Sequence, residues 1–246
     1  MNDRKISKKI EDVIIKNRSK FYNCSEDVFF KPGTNFRYSE GLDKEPLIYI
    51  TELFGHTFIS SGKDSLPLLK DISNDGSITL NYDQLKKNFP NLRLDEVYPH
   101  YIYNKKSFPE IHIAEGYEIR KMDPSDHPPL QVFLDSCTEE DIEDALIMLD
   151  DPDEEIHMVY KDGVPVVYAG YRLWENGLGD TGILVHKEHR KKGLGVAAVS
   201  SVTRGCMENG HFPFYRTSRE NKGSSSIALK VGYELVWETL VYKFDK

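Results

Sequence analysis

Residues 183–198 constrain this chain more than any other stretch. They run Ile-Leu-Val, then His-Lys-Glu-His-Arg-Lys-Lys, then Gly-Leu-Gly-Val-Ala-Ala. The first part is a short apolar run of β character. The second is a basic turn. From Gly193 onward Val196, Val199, Val202 and Cys206 recur at helical spacing. A strand that enters a helix through a basic, glycine-bearing turn is built to meet an anion. The first N–H groups of a helix have no partner within it, and the macrodipole makes that end positive. Glycine leaves room for a phosphate to approach the backbone.

Three glycine loops compete for this turn. A nucleotide-triphosphate loop needs G-x-x-x-x-G-K-[ST]. The Gly-Lys pair of this chain is Gly62-Lys63, followed by Asp64, which ends that reading. The dinucleotide pattern G-x-G-x-x-[GA] is met in letters by Gly193, Gly195 and Ala198, with Glu220 at the spacing of a ribose-binding acid. In that fold, however, the first glycine follows the strand directly, whereas here His186 to Lys192 intervene. The unit also lies near the C-terminus, without room for the repeated strand–helix units of a dinucleotide sheet.

The third pattern is R-x-x-G-x-G, carried by Arg190, Gly193 and Gly195. Val185 to Arg190 is similar to a V-x-P-x-x-R lead-in, with Lys187 at the proline. Downstream, Asn221, Ser224, Lys230, Gly232 and Tyr233 fall on N-x-x-[AS]-x-x-L-Y-x-K-x-G-[FY]. Together these resemble the two motifs of the GNAT superfamily, the acyl-CoA-dependent N-acyltransferases, over the chain from Gly116 on. The resemblance implies an α+β fold: a mixed, mostly antiparallel GNAT-type sheet flanked by helices, here with an N-terminal α+β accessory domain. It implies acetyl-CoA as cosubstrate and an N-acetyltransferase that moves an acetyl group to a primary amine, of a small molecule, by direct attack in a ternary complex.

The resemblance also assigns roles. The backbone from Arg190 through Lys191, Lys192, Gly193, Leu194 and Gly195 to Val196 would hold the pyrophosphate, with side-chain charge from Arg190 and the two lysines. Ile183, Leu184 and Val185 would hold the pantetheine arm as a neighbouring strand, and an N–H near Val185 would face the thioester oxygen. Asn221 would contact the cofactor. Ser224 would contact it too, or cap the short helix. Asp180, on the strand into the motif, is the candidate base for the amine. One position departs from the pattern: Ala228 stands where the family often has a tyrosine, the common candidate for protonating the departing thiolate. The alternative is therefore an acyl-CoA-binding or regulatory protein with little catalysis. A protein-modifying acyltransferase is a third reading.

The chain has 246 residues, enough for one large domain or two small ones, and 39% are hydrophobic. We place the expected boundary at 115/116: residues 1–115 form the accessory domain, either a degenerate GNAT-like unit or a module shaping the acceptor site, and 116–246 the GNAT domain. The net charge of −8 argues against a nucleic-acid partner. No apolar run reaches membrane-spanning length, and Met1–Lys5 leads into no apolar stretch, so neither a membrane nor a secretory leader is expected. Cys24, Cys137 and Cys206 are scattered, which suits a reducing, cytoplasmic setting. His186 and His189 form an H-x-x-H without a further partner, so no metal is expected. A homodimer stays open.

In the first half, Ile6, Ile10, Val13 and Ile14 share a helical face. Strands are expected at 47–51, 54–60 and 78–80, helices at 64–72 and 82–89, and irregular chain at 29–40. Tyr98 to Tyr103 is an aromatic cluster read as packing. In the second half the pattern predicts a strand at 117–122, a turn at 123–126 and helices at 128–135 and 138–149. Thr138 and Asp141 form a capping box for the second helix, and Ile142, Ala145, Leu146 and Leu149 its apolar stripe. Strands follow at 156–160, 164–174 and 178–185. After the motif helix come a strand at 212–217, a helix at 224–230 and a strand at 235–244. Every charge from Asp135 to Glu155 is acidic, a solvated face or an amine-attracting wall. Tyr168, Tyr171 and Trp174 divide between core and acceptor pocket.

Overall fold

A computed structural model describes residues 6–44, 47–73, 82–122, 127–145, 147 and 154–244. It carries a mixed sheet flanked by helices, with ten strands and seven α-helices among the described residues. The chain resolves into two compact units. One comprises 1–100, 217–220 and 236–246; the other comprises 101–216 and 221–235. The first unit is therefore discontinuous, and the C-terminal residues return to it.

In the first unit, α1 (Lys8–Tyr22) is capped by the Ser7 hydroxyl, which accepts from the Ile10 N–H, and ends at Asn23 in the left-handed conformation. Ile10, Ile14 and Ile15 are buried, and Tyr22 stacks on Phe58 with ring centroids 4.1 Å apart. The strands are β1 (Thr34–Tyr38), β2 (Leu47–Leu53), β3 (His56–Ser61), most of β4 (Leu92–Ile102) and most of β10 (Glu234–Phe244), in the order β1-β3-β2-β10-β4. β1 runs parallel to β3, and β2 is antiparallel to β3 and β10. Helices α2 (Leu66–Ile72) and α3 (Tyr82–Asn88) supply Leu69 and Leu85 to a core with Ile48, Ile50, Ile59, Leu92 and Tyr242. One sequence expectation needs correction. The irregular segment 29–40 contains β1, whose Thr-Asn-Phe-Arg-Tyr alternation is too weak to announce a strand but which gains one from its parallel partner. The aromatic cluster at 98–103 is largely the end of the eleven-residue β4. The strand expected at 78–80 lies outside the described residues.

In the second unit, β5 (Tyr117–Met122), β6 (Glu155–Lys161), β7 (Val164–Trp174), β8 (Leu178–Val185) and β9 (Phe212–Arg216) lie in the order β9-β8-β7-β6-β5. β5 to β8 pair antiparallel in succession, and β8 pairs parallel with β9. Asp162 and Gly163, both left-handed, make the tight turn between β6 and β7. Helices α4 (His127–Asp135) and α5 (Glu139–Ala145) cover one face, where Leu130 and Phe133 meet Met158, Tyr168 and Leu184. The Thr138 hydroxyl accepts from the Asp141 N–H, the expected capping contact. The turn expected at 123–126 and the stripe residues Leu146 and Leu149 lie outside the described residues. The other face carries α6 (Leu194–Glu208) and α7 (Lys222–Val231). Tyr171, Leu194, Ala198, Val202 and Cys206 pack there, and burial pushes the Cys206 thiol up to about 12. Gly210 ends α6 in a left-handed conformation, and the His211 N–H reaches back to the Cys206 carbonyl.

Candidate functional site

The site lies where β8 runs into α6. β7 pairs with β8 along its whole length, from Trp174↔Leu178 to Val167↔Val185. β9 pairs with it only at Leu178, Gly179 and Asp180. The β9-side edge of Thr181–Val185 thus has no strand beside it among the described residues, an open edge inside the sheet that an extended ligand can join. Side chains of this stretch are spent on packing: Leu184 belongs to the core under α4, while Ile183 and Val185 pack on the α6 side. What Ile183, Leu184 and Val185 have to offer a ligand is backbone.

After Val185 the chain makes one 3₁₀ turn, Lys187–His189, then turns through Lys191 (φ 63°) and Gly193 (φ 79°) into α6. No side chain caps the helix, so its first N–H groups take no side-chain partner. The two loop glycines serve different ends. A Cβ on Gly193 would meet nothing within 4 Å, so that glycine answers to its left-handed backbone. A Cβ on Gly195 would lie 2.7 Å from Ile227 Cδ1 and 3.3 Å from Val185 Cγ2. Gly195 is there because α7 and the end of β8 press against the helix start, a packing reason rather than an approach for phosphate.

Among the loop cations, Arg190 is already engaged. Its Nε donates to the Val185 carbonyl at 3.0 Å, and its Nη2 to Asp141 at 2.7 Å. Burial pushes the Asp141 carboxyl up, but bonds with Arg190 and Thr138 outweigh it and hold the group below the ordinary range. Arg190 therefore ties β8 to α5, and its charge is shared with a carboxylate. Lys187, Lys191 and Lys192 form no ion pair among the described residues and are exposed. His186 bonds the Ser136 carbonyl through Nε2, and His189 Nδ1 lies 3.1 Å from the Tyr117 hydroxyl. No group of three or more His, Cys, Asp or Glu among the described residues is placed to hold a metal ion.

Asn221 is the N-cap of α7: its side-chain oxygen accepts from the Ser224 N–H at 3.0 Å. The Ser224 hydroxyl instead lies 2.7 Å from the Tyr215 hydroxyl. Capping thus falls to Asn221, where the sequence reading offered it to Ser224. Ala228 is fully buried, in a core group with Tyr101, Tyr103, Val199, Tyr215, Val231 and Tyr233. Asp180 is mostly buried and ion-paired to Arg216, Oδ2 to Nε 2.9 Å, at the last rung between β8 and β9. Tyr168 and Tyr171 are core; Trp174 is half-buried against Phe214 and Arg216.

Sequence reasoning passed over several groups. The Tyr233 hydroxyl lies 3.4 Å from that of Thr181 and 2.8 Å from that of Thr203, which places a buried hydroxyl cluster at the point where β8 leaves β9. Asp141 as partner of Arg190 and Tyr117 as neighbour of the loop were also missed, since they lie 49 and 72 residues from their partners. Their sequence signal is nil, apart from the Gly232-Tyr233 pair that ends the second motif.

Strand, uncapped basic turn, helix, and a parallel strand that leaves its neighbour after three rungs are set in a mixed sheet flanked by helices, a fold that solved GNAT-type structures share. A family model for FR47-like proteins matches residues 175–242. An acetyltransferase from the GNAT family of Colwellia psychrerythraea superposes with a TM-score of 0.50 at 14% identity, covering 69% of this chain and 63% of its own. A GCN5-related N-acetyltransferase from Kribbella flavida gives 0.49 at 16% identity, covering 67% and 63%. A GCN5-related N-acetyltransferase-like protein from Streptococcus suis gives 0.45 at 15%, covering 78% and 72%. This chain thus spans less than two thirds of the Colwellia and Kribbella chains. No curated protein matches it in sequence. No helix among the described residues is long and apolar enough to cross a membrane.

Proposed function

We propose that this chain is an N-acetyltransferase that moves an acetyl group from acetyl-CoA to a primary amine of a small molecule, by direct attack in a ternary complex. The carrying observation is the uncapped start of α6 at Gly193, reached from the open edge of Thr181–Val185. The two features suit the two halves of one ligand, a diphosphate and an extended arm of amides. The N–H groups opening α6, with Lys191 and Lys192, would hold the diphosphate. The open edge of β8 would pair with the pantetheine amides, and a backbone N–H at its end would face the thioester oxygen as it gains charge. The amine's proton goes to Asp180, directly or through water; the N–C bond forms as the C–S bond breaks, and the departing CoA thiolate takes its proton from water.

A second reading, an acyl-CoA-binding protein with little turnover, is favoured by two observations: the buried Ala228, and the engagement of Asp180 with Arg216. Binding and turnover separate the two. Acetyl-CoA is titrated by calorimetry into the wild type and Gly193→Asp, and thiol release is followed with a panel of amines. Aspartate is among the residues that best tolerate a left-handed backbone, and the position is open, so the fold survives. Its carboxylate would face the diphosphate, and binding should drop at least tenfold, roughly 1.4 kcal/mol. Wild-type binding without amine-dependent thiol release selects the second reading; no binding of any acyl-CoA overturns both.

A further inference from the structure

We propose that Tyr117, Lys161, His189 and Lys192 form a second anion subsite beside the loop, which takes a phosphate monoester on the nucleotide end of the ligand. The chain would then select a 3′-phosphorylated adenine nucleotide such as CoA over its dephospho form. The inference rests on the acyl-CoA reading of the loop.

The four residues come from three separate places in the second unit: the start of β5, the end of β6, and the turn before α6. The Lys192 ammonium donates to the Tyr117 hydroxyl at 3.3 Å, and His189 Nδ1 lies 3.1 Å from the same oxygen. The Lys161 ammonium stands 5.2 Å from the centroid of the Tyr117 ring, and that of Lys192 5.9 Å. Two ammonium groups and an imidazole are thus gathered about one phenol. The nearby carboxylates are Asp162, 3.8 Å from Lys161, and Glu188, next in sequence to His189. Lys192 has no ion pair among the described residues. Burial, with the charge of Lys192 and the neighbouring His186, holds the His189 imidazole below its ordinary value, as expected where cations crowd.

The gathering is also built in. The Tyr117 ring packs on the core group that holds Leu194, the first residue of α6, which gives the cluster a fixed floor beside the helix start. Lys161 lies along Gly116, where a Cβ would come 2.6 Å from its ammonium. A diphosphate is provided for by the helix start and the lysines of the turn. The positive charge that Lys161 brings to Tyr117 is additional, and like charges held together favour an added anion. A phosphate monoester brings about two negative charges at neutral pH and oxygens that accept from ammonium, phenol and imidazole N–H alike.

The test is a pair of calorimetric titrations, CoA and dephospho-CoA, into the wild type, Lys161→Gln and Tyr117→Phe. Dephospho-CoA keeps the diphosphate and the arm, so the ratio of the two affinities reads the monoester alone. The wild type should bind CoA about tenfold more tightly or better. Lys161→Gln should lower the ratio severalfold by weakening CoA, with dephospho-CoA little changed, and Tyr117→Phe should lower it in part. Both substitutions leave core packing in place, and circular dichroism checks the fold. Equal wild-type affinities, or a ratio that survives Lys161→Gln, overturn the subsite while leaving the loop reading standing. If neither ligand binds the wild type, both readings fall.

Discussion

Asp180 is the residue on which chemistry and architecture compete. Its ion pair with Arg216 sits at the last rung joining β8 to β9, so it holds the point where the site opens. Its place on the strand into the motif makes it the candidate base. Asp180→Asn keeps the shape and removes the charge. As a base, its loss should lower kcat by about a hundredfold or more and leave acetyl-CoA affinity unchanged. As a strut, its loss should cost about 1 kcal/mol in urea denaturation, with kcat held within a few-fold. At the same scale the loop motif was readable and its reasons were not. Arg190, Gly193 and Gly195 were marked by spacing alone, but that Gly195 yields space to Ile227 and that Arg190 faces Asp141 depend on residues far along the chain.

Among the elements, β6 and α6 share a buried polar line that no motif announces. Glu155 Oε1 and His157 Nε2 are 2.6 Å apart, and His157 Nδ1 is 2.7 Å from the Ser201 hydroxyl. Lys121 of β5 and Asn209 both donate to the other Glu155 oxygen, at 2.6 and 3.0 Å. Gly205 lets α6 approach, since a Cβ there would fall 1.6 Å from Glu155 Oε1. Burial raises the Glu155 carboxyl, but the bonds from Lys121, His157 and Asn209 outweigh it and leave the group low. Burial is also the largest influence on His157 and lowers it, against the pull of Glu155 and with Lys121 and Glu208 nearby. Between the ordinary imidazole value of about 6.5 and the lower folded value, the unfolded chain holds a proton that the folded chain lacks. His157 therefore makes stability fall as pH falls through that window. Glu155, depressed from the ordinary carboxyl range, holds its contribution above that range and loses it as pH falls through the folded value. Urea midpoints from pH 8 to 5 should decline for the wild type, and the decline should be shallower for His157→Gln. Parallel curves would show that His157 does not titrate with folding.

For the whole molecule, the discontinuity of the first unit sets the prediction. β10 pairs with β2 from Thr239↔Thr51 to Lys243↔Leu47, and Tyr242 lies in the core with Ile48 and Ile59. Trp237 stacks on His100 at 4.7 Å. Cutting the chain after Leu235 removes these contacts and leaves β2 with only one of its two antiparallel neighbours, β3. Losing a buried Tyr242 and Trp237 alone amounts to several kcal/mol, about 3–5 for each large aromatic. The truncated chain should lose protease protection at sites before His100, read by mass spectrometry of limited digests. Unchanged protection there would mean that the first unit holds without its returning strand.

Local physics made much of the second unit legible. β7 and β8 are bounded by Gly163 and by Asn176-Gly177, residue types that accept the left-handed backbone found there, and β6, α6 and β9 follow from period and turn chemistry. Such signals act over a few residues, and they suffice for the order of elements there and for the basic turn that opens α6. Tertiary structure decided what depends on distant partners. β1 is a strand because β3 lies beside it, and β4 was legible only as aromatic residues until its neighbours made it a strand. The capping of α7 by Asn221, the burial of Ala228, the engagement of Arg190 with Asp141 and the cluster around Tyr117 all join residues that no local pattern relates. The reason is range: propensity and capping are settled within a turn or two of chain, whereas packing and ion pairing are settled by whichever residues the fold brings within a few ångströms.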